Sequence, residues 1–151
     1  MSRFALLLAT LLLTAGCAMP TITVHEDALS PREHLQLGIS YEQKKEYDLA
    51  EEQYREATDL PEAWLCLANL AFTRQQWDES EKLYEKAMKQ LPEDPRPYNN
   101  LAWLYYTRKR DLCRAETLAE KAVALAPAKQ RKPYEDTLES VRAARRIVEL
   151  K

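Results

Sequence analysis

Trp64-Leu65-Cys66-Leu67-Ala68-Asn69-Leu70-Ala71, with Trp77, Ser80, Tyr84, Ala87 and Pro92 downstream, decides the fold of this 151-residue chain. Trp64 and Leu67 lie three apart, small Ala68 comes next, and Ala71 falls three further on, which is helical spacing. Ser80 and Ala87, seven apart, put small residues on one face of a second helix. The same order recurs downstream as Tyr98-Asn99-Asn100-Leu101-Ala102-Trp103-Leu104-Tyr105, then Leu112, Ala115, Ala119, Ala122 and Pro127. It recurs upstream as His34-Leu35-Gln36-Leu37-Gly38-Ile39-Ser40-Tyr41, then Tyr47, Ala50, Tyr54 and Ala57. Gly38, Ala68 and Ala102 stand where the two helices of a unit approach closely, with Ala50, Ser80 and Ala115 facing them. A large side chain there forces the helices apart. Trp64 to Tyr98 is 34 residues, whereas His34 to Trp64 is only 30. The missing four fall between Ala57 and Trp64, about one helical turn. The second helix of the first unit is therefore expected to end early, with Pro61 opening the next helix. The third unit has one extra residue in its turn, which holds the charged run Arg108-Lys109-Arg110-Asp111.

These units resemble the tetratricopeptide repeat, a helix-turn-helix of about 34 residues. The resemblance covers about residues 31–150. It implies an all-α fold, a short right-handed superhelix of three helix-turn-helix repeats plus a C-terminal capping helix. The repeats fall at about 31–60, 61–94 and 95–128, and the cap at 129–151. No such unit buries its apolar face alone, and about three are needed for stability. In the cap, Tyr134, Leu138, Val141 and Val148 form an apolar stripe, with Arg142, Arg145, Arg146 and Glu149 on the other face. Tyr41, Tyr47, Tyr54, Trp64, Trp77, Tyr84, Tyr98, Tyr105 and Tyr134 fall on framework positions and are expected in the core.

Composition agrees with helices and argues against catalysis. The chain is 46% hydrophobic and 30% charged, with two glycines and two histidines. Phosphate-cradling loops need several glycines close together. His25 and His34 are poor material for a zinc site or a catalytic triad. No catalytic residue, metal ligand or cofactor is expected, and no nucleic-acid partner, since acidic residues outnumber basic ones by 24 to 22. Cys66 and Cys113 sit at places in successive units offset by roughly 12 Å along the helix axis, beyond disulfide reach.

The first sixteen residues read as a targeting segment. Met1-Ser2-Arg3 is positive, Phe4 to Leu13 is apolar apart from Thr10, and the apolar run is too short to span a bilayer. Leu13-Thr14-Ala15-Gly16-Cys17 resembles the lipobox of bacterial lipoproteins, with Thr14 where that family most often has Leu. The resemblance implies a signal peptide over 1–16 and a lipid on Cys17. With Ala18 rather than Asp next, it also implies the outer membrane, facing the periplasm. Several acyl chains hold firmly, since each buried methylene contributes about 0.8 kcal/mol. Residues 17–30, with Pro20, Thr21, Thr23 and Ser30 and no helical period, read as a tether.

What remains for function is the groove lined by the first helices, which the repeat resemblance places on the concave side. Its first-unit positions are Arg32, Leu35, Gln36, Ile39 and Glu42. The partner-binding candidates come from the second and third units: Leu65, Asn69, Phe72, Arg96, Asn99, Asn100, Trp103 and Tyr106. Asparagine offers donor and acceptor together to a peptide backbone. Leu65, Phe72, Trp103 and Tyr106 suit apolar side chains of an extended or helical partner. Arg96 and Asn100 match part of the carboxylate clamp of chaperone adaptors, but Leu35, Ile39 and Cys66 replace its other residues, which argues against a clamp. Charge is uneven: residues 33–62 hold nine acidic and three basic side chains, and residues 129–151 hold four acidic and seven basic. The resulting expectation is a lipid-anchored adaptor or scaffold for a protein or peptide partner at the bacterial envelope, pilotin-like in pilus or secretion assembly, with self-association open. A small-ligand or glycan-binding module is the alternative.

Overall fold

The computed structural model describes residues 28–150. The expected signal segment, Cys17 and most of the tether lie outside the described residues. Seven α-helices follow one another: α1 (Pro31–Gln43), α2 (Tyr47–Glu56), α3 (Pro61–Thr73), α4 (Trp77–Gln90), α5 (Pro95–Arg108), α6 (Leu112–Leu125) and α7 (Lys132–Glu149). A short 3-10 turn, Ala128–Gln130, precedes α7. No strand occurs among the described residues. Consecutive helices pack as antiparallel pairs, α1 on α2, α3 on α4 and α5 on α6, and α7 closes the array against α6 and α5.

Each first helix starts with proline, at Pro31, Pro61 and Pro95. At that position the missing N–H has no intrahelical partner to lose and φ is preset for the helix. Ser30 and Glu33 form a reciprocal capping box on α1, and Asp94 caps α5 by accepting from the Arg96 N–H at 2.9 Å. α2 has ten residues against fourteen in α4 and α6, which absorbs the four-residue deficit of the first unit. The tight turns between paired helices contain no glycine. Lys45, Gln75 and Lys109 take left-handed conformations there, with φ of 63°, 59° and 49°. The extra residue of the third turn adds a second such position, Asp111 at φ 45°, whose carboxylate caps α6 by accepting from Arg114 N–H at 3.2 Å.

The small residues sit where helices touch. Ala50, Ala68, Ala102 and Ala115 are fully buried. Ser80 is buried too, and its hydroxyl donates to the Ala68 carbonyl at 2.9 Å. Gly38 is the tightest point: a Cβ there would lie 2.5 Å from Cδ1 and Cε1 of Tyr54. The core forms two clusters. Leu35, Ala50, Tyr54, Ala57, Ala63, Leu67 and Leu70 make the N-terminal one. Leu65, Ala68, Tyr84, Leu101, Leu104, Tyr105, Ala115 and Val141 belong to the other. Trp64 and Leu83 touch both and join them. Of the framework aromatics, Tyr54, Tyr84 and Tyr105 are buried and the other six are half-buried. The half-buried Trp64 ring carries the Lys86 ammonium 3.2 Å from its centre.

Arginines stitch the units together in a way no single-unit pattern shows. Arg74, at the end of α3, reaches back to Asp48 and Glu51 on α2 at 2.5 and 2.7 Å. Arg110 of the third turn pairs with Glu81 on α4, and Arg114 pairs with Glu85 at 2.6 Å. Arg142 and Arg145 of α7 pair with Glu116 on α6 at 2.8 and 2.6 Å, and hold its carboxyl below the usual range. These two arginines stay partly exposed on the polar face of the cap, but they bridge to α6 instead of standing free. Val148 departs from expectation, being 60% exposed although it continues the buried stripe. The reason is overhang: Arg145 already reaches Glu116, about one turn from the start of α6, so residues beyond it have no neighbour.

Candidate partner-binding groove

Between α3 and α5 the surface is hollowed into two adjoining cavities of about 310 and 330 Å³. Both are lined by Asn69, Asn99 and Asn100. The first adds Phe72, Thr73, Tyr84 and Trp103. The second adds Glu62, Leu65, Cys66 and Arg96, and is walled at one end by Pro133 and Tyr134 of α7. The expected candidates thus largely converge, but they do not play equal parts.

Trp103 is the most open of the apolar ones, 41% exposed at the rim. Its ring packs against Tyr106 at 4.9 Å between centroids. Tyr106 itself lines neither cavity and leans on the core, so it supports Trp103 from behind. Phe72 is half-buried and meets Trp77 edge-on at 5.4 Å. Leu65 lines the second cavity as expected, but at 4% exposure it belongs to the core cluster and offers a partner little surface. Leu35 of the first unit, expected on the groove, packs instead in the N-terminal cluster. Glu42 is engaged, accepting from the Tyr54 hydroxyl at 2.5 Å. Burial, and then that bond, push the Tyr54 phenol well above its ordinary value.

The asparagines are partly spent on one another. Asn69 Oδ1 accepts from the Tyr84 hydroxyl at 2.8 Å and from Asn100 Nδ2 at 2.9 Å. Asn100 Oδ1 accepts from Asn99 Nδ2 at 3.4 Å. This chain runs across the floor and fixes all three side chains. Its end is unsatisfied: Asn99 Oδ1 is buried and has no partner among the described residues. A buried acceptor left unmade costs about 1–3 kcal/mol, which a ligand N–H would recover once the Asn99 amide turns its oxygen into the cavity. Arg96 lines the second cavity with its guanidinium held by Asp94, at 2.6 to 3.0 Å. Burial pushes the neighbouring Cys66 thiol up to about 11, which keeps it protonated and unreactive. Cys66 and Cys113 are free thiols.

The repeat pattern did not mark Tyr84 or the α7 pair as groove residues. Tyr84 is 2% exposed, but its hydroxyl reaches the cavity floor. Pro133 and Tyr134 arrive only because α7 folds back beside α5, which no single unit encodes. Among the described residues no group of three or more His, Cys, Asp or Glu is placed to hold a metal ion. No helix among them is long and apolar enough to cross a membrane.

Paired helices with a hollow between successive first helices define a helical solenoid of the tetratricopeptide type. The family model described as tetratricopeptide repeat matches residues 61–104, which hold α3, α4 and most of α5. No curated protein matches the chain in sequence. Solved structures share the fold. The type III secretion translocator chaperone SycD of Yersinia enterocolitica aligns with a TM-score of 0.70 at 17% identity, over 80% of this chain and 98% of that one. PcrH of Pseudomonas aeruginosa, in complex with the chaperone binding region of PopD, gives 0.69 at 20% identity, over 78% and 97%. The TPR2B domain of yeast Sti1, in its pHsp70 complex, gives 0.68 at 16%, over 75% and 96%. At these identities the likeness is one of fold.

Proposed function

We propose that this chain is a lipid-anchored adaptor that holds a protein partner in the groove between α3 and α5 at the bacterial envelope, without chemistry of its own. The observation that carries this reading is the pair of adjoining cavities, with Trp103 open at the rim and Asn99 Oδ1 unmatched on the floor. An apolar anchor beside an unfilled acceptor suits a peptide segment, which offers a side chain and a backbone N–H together. The fold neighbours PcrH and Sti1, solved with the chaperone binding region of PopD and with pHsp70, support it. The lipid on Cys17, the outer-membrane location and a pilotin-like place in pilus or secretion assembly rest on the sequence. The α7 wall at one end of the groove gives a second reading, a small-ligand or glycan module, its foothold.

The test is partner recovery by the mature chain, after crosslinking in the cells that make it. Trp103→Ala is expected to weaken capture by about 2 kcal/mol, roughly thirtyfold in Kd, as truncating a central aromatic anchor does. Asn69→Ala should weaken it less, by freeing Tyr84 and Asn100 from their shared acceptor. Equal recovery by both variants and the parent sinks the groove. The anchor has its own measurement: palmitate should label the parent and not Cys17→Ser. Equal labelling of the two would exclude lipid on Cys17.

A further inference from the structure

α7 has a second face that the groove does not use. Val141 is buried and Thr137 nearly so, with Tyr134, Leu138 and Ala144 half-buried, all against α6 and α5. On the opposite side of the same helix lie Glu135, Glu139, Ala143, Arg146 and Leu150, spaced three or four apart and all exposed. Ile147 flanks them at 60% exposure, and Leu150 is 88% exposed. No helix among the described residues covers this face. Charge along it is divided. The first half is acidic, with Glu135 and Glu139, and the second half carries Arg146 beside the two apolar residues. No hydrogen bond or ion pair among the described residues engages Glu139 or Arg146. By contrast, Arg142 and Arg145 are committed to Glu116, Glu120 and Glu149.

We propose that two copies of this chain associate through this face, α7 against α7, antiparallel about a two-fold axis near Ala143. Antiparallel pairing about Ala143 sets Glu139 of each copy opposite Arg146 of the other, so the contact is made twice. A parallel pair sets like charge against like. Ala143 at the crossing lets the helices approach, since interaxial distance follows the size of the contacting side chains. Ile147 and Leu150 then come off solvent against the first two turns of the partner's α7. The charges fix register and direction, and the apolar residues supply burial.

The test is the mass of the full chain in detergent, by light scattering after size exclusion. The parent should run at twice the chain mass. Glu139→Arg and Arg146→Glu should each run at the single-chain mass, and the double swap should return to twice. All these positions are exposed, so far-ultraviolet circular dichroism should not change. In a Cys113→Ser background, Ala143→Cys should give a disulfide-linked dimer on oxidation. A parent of single-chain mass, or single swaps that leave the mass doubled, overturns the proposal. So does binding of phosphatidylglycerol vesicles that Arg146→Glu abolishes and the double swap does not restore, which assigns the face to lipid. Partner recovery through Trp103, read on the same variants, reports separately on the groove.

Discussion

Val141→Asp is expected to cost at least about 4 kcal/mol and to lower the melting temperature by roughly 15 °C, seen by differential scanning calorimetry. Val141 is fully buried in the cluster that holds Leu101, Leu104, Tyr105 and Ala115. It is the residue through which α7 closes that cluster. A carboxylate there has no cation within the cluster, so it either stays charged without a partner or protonates, and both are costly. The local consequence is release of α7, which uncovers the alanines of α6 and removes Tyr134 from the groove wall. Val141→Thr keeps the shape and buries one hydroxyl, at about 1–3 kcal/mol, so its cost should be smaller. Equal losses for the two would mean that any polar atom at this buried site, and not an unpaired charge, sets the cost.

The second large effect lies in the other cluster. Tyr54→Ala should cost about 3–5 kcal/mol, the range for truncating a buried aromatic. It removes a fully buried ring and leaves Glu42 without its hydroxyl partner. Gly38→Ala in the parent brings a Cβ into the same ring, and should cost about 1–3 kcal/mol in overpacking, offset by about 1 kcal/mol of helix propensity. In the Tyr54→Ala background the ring clash is gone and only the Ala50 carbonyl stays close, at 3.3 Å, which a shift of a few tenths of an ångström relieves, so Gly38→Ala should become stabilising. That change of sign, read from urea unfolding of the four proteins, is the signature of direct contact. Additive effects would show that Gly38 is small for some other reason.

Much of the fold was legible because its decisive residues are local. Gly38, Ala68 and Ala102 announce close helix contacts by size alone, and Pro61 marks where the first helix of the second unit begins. The short second helix was legible as a missing turn between Ala57 and Trp64. What was not legible depends on how one unit is staggered against the next. Helical periodicity says which way Leu65 points, but not that α5 covers it. It puts Val148 on the buried stripe, but not that α6 has ended before it. The pairs Arg74–Glu51, Arg110–Glu81 and Arg142–Glu116 span 23 to 29 residues, and only the packed array brings them together. The site suffered the same limit. Asn69, Asn99 and Asn100 were found as amides facing one groove. That they bond one another and leave a single acceptor over follows from the offset between α3 and α5.

The glycine-free turns have a consequence for how this protein sits among its own possible sequences. Lys45, Gln75 and Lys109 each hold a left-handed backbone that costs a residue with a Cβ about 1–2 kcal/mol, and that glycine adopts freely. The folded chain therefore lies below the stability its own backbone path permits. The shortfall is concentrated at exposed turn positions, none of which lines the groove or the outer face of α7. A protein with such a reserve has room to accept destabilising changes in its recognition surfaces, because a single substitution in a turn is enough to restore the balance.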